Sequence, residues 1–147
     1  MSTTPQTDFD SSARRHMDDA DLLHAHARPA NADHLAGLAA ECALKALIAG
    51  FLGGHINPQD LVVHPNANGP IRKHVNTLWP EMVTIVQNRS ASALIPLLTS
   101  QPFADWKVDD RYCDGTHLTA TTVSNHLSAA RAVISILEQA HLDGMLT

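Results

Sequence analysis

The run from His34 to His55, HLAGLAAECALKALIAGFLGGH, constrains the fold more than any other part of the chain. Between Gly37 and Gly54 it carries only Glu41 and Lys45 as charges; the rest is small or apolar. A helix that is apolar almost all round belongs at the centre of a bundle or in a subunit interface. At about 100° per residue, His34, Glu41 and Lys45 fall within roughly 40° of one another, with Leu38 among them. That polar line has two readings. It faces solvent, with Glu41 and Lys45 as an ordinary i, i+4 pair. Alternatively it lies inside, where a carboxylate needs a cationic partner because an unpaired buried charge is very costly. Lys45, Arg72 and Arg111 are the candidates for that partner. The small Ala and Gly residues also admit a second helix closely, so the helix is expected to serve both the core and a homodimer contact.

The flanking sequence extends the helical pattern. Residues 1–9 read as a loose tail, and residues 10–147 as one domain. Asp10 and Ser11 are N-cap candidates for a first helix, SSARRHMDDADLLHAHA, with Ala13, Met17, Ala20, Leu23 and Ala27 on one face. Pro29 ends it, and Asn31 or Asp33 caps the second helix, which stops at Gly53–Gly54. Residues 54–70 read as a connection; LVV at 61–63 is too short to count as a strand. Pro70 opens a third helix, IRKHVNTLWPEMVTIVQNR, with Pro80 as a kink or restart. A shorter helix, ASALIPLLTS, follows. After an irregular stretch, Thr119, Thr121 or Thr122 caps the last helix. Its stripe is Val123, Leu127, Ala130, Ile134, Leu137 and His141, and Gly144 closes it. The fold class expected is all-α: an antiparallel bundle of four main helices plus one or two short ones.

Composition narrows the function. A formal charge of −5 over 147 residues argues against broad, non-specific nucleic-acid binding. Cys42 and Cys113 form no spaced framework, so neither a disulfide scaffold nor a zinc knuckle is expected. The N-terminus has no basic segment followed by an apolar run, and Glu41 and Lys45 break the longest apolar stretch. No membrane association is expected, and the simplest location is cytoplasmic. A bundle could gather His16, His24, His34, His74 and His126. There is no HExxH or Glu-x-x-His pair, however, so no metal and no cofactor is expected. NANGP at 66–70 leads towards a helix N-terminus whose free N–H groups suit an anion.

Four strings, in order, carry a family resemblance. ANADHLAGLAAECALKALI resembles the second helix of HEPN proteins, the "higher eukaryotes and prokaryotes nucleotide-binding" family. RRHMDDADLL resembles the first helix, KHVNTLW the start of the third, and WKVDDRYCDG the Arg-Tyr segment before the last helix. The likeness covers roughly residues 12–140. It implies an antiparallel, commonly dimeric helical bundle. It also implies a nucleotide, an RNA or a partner protein as ligand, often a nucleotidyltransferase in a toxin–antitoxin or defence pair. His34, Glu41, Lys45, Arg72 and His74 are the candidate ligand-binding residues.

Active HEPN ribonucleases use an Arg and a His separated by four to six residues, without metal. Such a His shuttles protons while the Arg holds the phosphorane oxygens. Arg111 and His117 in RYCDGTH have the permitted spacing and are the candidate catalytic pair. The context departs from the active pattern. Tyr112 follows the Arg, where active members have a polar residue, and Asp114–Gly115 puts a turn inside the motif. The Arg-Tyr form is frequent in members without nuclease activity, where the Arg is expected to make a structural salt bridge, here with Glu41. The expectation is therefore a non-catalytic binding module, with a metal-independent ribonuclease as the alternative.

Overall fold

The computed structural model describes residues 6–146. It is an all-α bundle, 60% helix and 4% strand, with four long helices and a short one. Helix α1 (Phe9–Ala25) begins two to three residues earlier than its predicted caps, Asp10 or Ser11, require. Asp8 caps it, accepting the Ser11 N–H at 2.9 Å. Residues 6–8 precede this helix, and residues 1–5 of the expected tail lie outside the described residues.

Helix α2 (Pro29–Phe51) is the axis of the bundle and packs against α1, α3, α5 and the turn after Trp106. Pro29 opens this helix rather than merely ending the one before, since a first-turn proline forfeits no intrahelical bond. Asn31 and Asp33 are consequently inside the helix and cap nothing. By length and its mean hydropathy of 1.4, α2 passes as a membrane-crossing segment, but 61% of that window is buried within the protein.

The connection after α2 does hold strands. β1 (His55–Ile56) and β2 (Val62–Val63) pair antiparallel, with His55 opposite Val63 and Ile56 opposite Val62. Ile71 joins them, donating its N–H to the Val62 carbonyl at 2.8 Å. That pairing keeps residues 71–74 out of a helix, so α3 (Val75–Ile85) starts four residues later than its pattern suggests. The helix N-terminus expected just after NANGP is therefore at His74–Val75 instead. Exposed Pro80 removes one helical hydrogen bond, yet α3 runs through it unbroken.

α4 keeps only Ile95–Leu98 of the predicted short helix. A 3-10 turn (Val108–Tyr112) precedes α5 (Ala120–Asp143). Thr119 caps α5, and Gly144 closes it in the left-handed conformation at φ 72°. The predicted α5 stripe is buried except for His141, which is exposed, lies edge-on to Phe51 and bonds Asp10. The core joins the apolar faces of α1, α2, α3 and α5 around Trp79, Phe103 and Trp106.

Candidate functional site

The polar line of α2 faces inward. Glu41 is 8% exposed, and its Oε2 accepts from Lys45 Nζ at 3.1 Å. Its other oxygen, Oε1, lies 2.9 Å from Nδ1 of His74, the residue that precedes α3. Lys45 is buried too, with its ammonium 5.6 Å from the Phe9 ring centroid. Of the three cationic partners foreseen for Glu41, Lys45 is the one the fold supplies. The expected Arg111–Glu41 salt bridge does not form, because Lys45 and His74 occupy both carboxylate oxygens. The role of His74 was missed; no pattern within its own segment points towards α2.

His34 stands near the start of this line, half-buried, its ring stacked on Trp106 at 5.4 Å and 15°. Burial first, then the positive charge of Arg111, pulls its pKa below the ordinary histidine value. Its Nδ1 is buried without a hydrogen-bond partner. His16 of α1 is lowered likewise by burial and by Arg15, and it feels Glu41 and His34. Burial thus favours the neutral form of both rings. The structure thus gathers His34, Glu41, Lys45 and His74 on one face of α2, with His16 beside them. Arg72 does not join; it is exposed and makes no ion pair among the described residues. Lys73 is committed to Glu81.

The cluster offers little chemistry of its own. Glu41 is held by two donors and is no free base. The neighbouring Cys42 thiol is pushed up to about 11 by burial and by Glu41, so it stays protonated. Among the described residues no three His, Cys, Asp or Glu side chains are placed to hold a metal ion. The concavities described on the surface are lined by other residues, such as the groove of Val83, Val86, Ile95, Leu98 and Thr99.

Arg111 and His117 sit on the exposed segment between Trp106 and α5. The Arg111 guanidinium lies 4.8 Å over the ring of Tyr112, which is 77% exposed. His117 Nε2 faces Asp110 Oδ2 at 3.7 Å. Asp114 accepts from both the backbone N–H and the hydroxyl of Thr116, which holds its carboxyl below the usual range. Asp109, Asp110 and Asp114 flank Arg111 along the chain, but no carboxylate pairs with its guanidinium among the described residues.

The single chain already covers most of α2. What it leaves uncovered is Pro29, Ala30 and Asn31 at the head of the helix, half-buried His34, and a strip of Leu35, Leu38, Ala46, Ala49, Gly50 and Phe51. No family model matches the chain, and no curated protein or solved structure matches it either.

Proposed function

We propose that this chain is a non-catalytic, HEPN-like binding module that engages a partner protein through the exposed segment 107–118. The observation that carries this is the Arg111–Tyr112 pair, stacked and exposed at the tip of the 3-10 turn. Tyr and Arg are the side chains that most often dominate the energy of a protein interface. The three aspartates along the segment favour a basic partner surface and oppose a phosphate backbone. Glu41, Lys45 and His74 spend their charges on one another, and none of them lines a concavity described among residues 6–146. On the HEPN resemblance, the partner to try first is a small nucleotidyltransferase encoded beside this chain.

The ribonuclease reading keeps one observation in its favour. Arg111 is exposed and has no carboxylate partner among the described residues, so it remains available to a phosphate. One experiment separates the two readings. The chain is co-expressed with the nucleotidyltransferase, and the purified chain alone is assayed for RNA cleavage in EDTA. A complex that Tyr112→Ala weakens at least about tenfold, the scale of a 1.4 kcal/mol contact, with no cleavage, supports the binding module. Cleavage lost in both Arg111→Ala and His117→Ala, without a complex, replaces it with the ribonuclease.

A further inference from the structure

A second polar cluster lies at the N-terminal end of α2, apart from the group around Glu41. His126 of α5 is 1% exposed. Its Nδ1 lies 2.6 Å from Oδ1 of Asp33, and its Nε2 lies 2.8 Å from Oδ1 of Asp105. Phe103 covers one face of the ring, 5.1 Å away and nearly parallel. A carboxylate accepts but does not donate, whereas a neutral imidazole has a single N–H. Carboxylates on both nitrogens therefore call for the imidazolium, which donates to each.

The next residue along the chain makes this contact mechanical. Trp106 follows Asp105, and its indole N–H donates to the Asp33 carbonyl at 3.1 Å. The nitrogen-bearing edge of the indole lies against Gly37, where a Cβ would stand 2.1 Å from the ring. Trp106 in turn backs His34, and the 3-10 turn begins at Val108. Asp33, Asp105 and Trp106 thus fasten the start of the exposed segment to α2 and α5, while further along Val108 packs on the core and Gly115 lies against Ala30 at the head of α2.

We propose that the proton on His126 is a latch: its loss releases Asp105 and loosens Trp106 and residues 107–117 from α2, while the helices stay packed. The two carboxylates are unequal. Asp33 is buried and needs a donor, whereas the Asp105 side chain is 63% exposed and rehydrates readily. The neutral ring therefore keeps Nδ1–H on Asp33 and abandons Asp105. The charged groups facing the ring are Asp33 from α2 and Asp105 from the loop. Burial alone lowers the histidine's pKa, but the bonds and charges of Asp33 and then Asp105 outweigh it and raise it above 6.5. The sign follows. The latch is fully closed below the unfolded histidine value and opens as pH rises through the raised folded value. The device depends on no assumed partner, so it stands or falls separately from the binding reading.

The test is NMR of the wild type from pH 6 to 10. His126 ring nitrogens, the Trp106 indole N–H and backbone order parameters are followed together, with the Trp79 indole as internal control. The expected result is that His126 deprotonates to the Nδ1–H tautomer above pH 6.5. At the same pH, order parameters over 107–117 fall from about 0.85 to below about 0.6. Asp105→Asn removes one carboxylate at an exposed side chain and is expected to move both transitions to lower pH together. Deprotonation of His126 without change at Trp106 or 107–117 overturns the latch, as does a ring already neutral at pH 6.

Discussion

Asp33 and Glu41 stand about two turns apart on α2, and both are nearly inaccessible, at 2% and 8% exposure. Glu41 finds its first partner four residues away on the same helix, in Lys45. Its second, His74, is half-exposed. Asp33 finds nothing on its own helix and takes an imidazole from α5, 93 residues distant in sequence. That ring is sealed by Phe103 and shared with Asp105. One carboxylate is neutralised locally and stays within reach of water. The other is neutralised by tertiary packing and, through Asp105 and Trp106, holds a surface segment in place. Buried charge on one helix can therefore be a quiet fixture or a joint, depending on where the counter-charge comes from.

Three substitutions test that difference. Asp33→Ala is expected to cost the most, roughly 3–5 kcal/mol, because it breaks a buried ion pair and leaves the imidazolium with only the exposed Asp105. Urea unfolding at pH 6 measures it. A loss of under about 1 kcal/mol would mean that the Asp33–His126 pair behaves as a surface pair and is no joint. Glu41→Gln keeps the shape and removes the charge, leaving the Lys45 ammonium with one neutral acceptor. A cost of about 1–3 kcal/mol is expected, the penalty for an imperfectly met buried group. Stability equal to wild type would place Lys45 in contact with water and weaken the inward reading. His74→Ala removes a half-exposed partner and should cost no more than about 1 kcal/mol. A cost equal to that of Glu41→Gln would show that His74, and not Lys45, is the main support of Glu41.

Much of the architecture was legible in the residues. The apolar period placed the long helices, Thr119 and Gly144 marked both ends of α5, and the spacing of Glu41 and Lys45 announced their pair. The site was legible in part. Glu41, Lys45 and His74 bond one another, His34 stacks on Trp106 instead, Arg72 stays outside, and Arg111 is exposed instead of bonded to Glu41. In the sequence, His126 is one of several histidines a bundle could gather for a metal. It meets two carboxylates instead. Asp33 looked like a helix cap because Asp favours that position, and Pro29 displaced the helix start upstream of it.

The sequence by itself determined what depends on neighbours within about a turn of helix: period, caps, stops and the i, i+4 ion pair. Tertiary structure decided which distant groups answer the buried charges: His126 for Asp33, and His74 for Glu41 from 33 residues away. It also decided where α3 begins, since Ile71 spends its N–H on Val62 instead of on a helical turn. The physical reason is common to these cases. A backbone hydrogen bond or a cap is satisfied by a residue whose distance along the chain is known in advance. A desolvated charge takes whichever opposite group packing brings within about 3 Å, and only the assembled fold says which group that is.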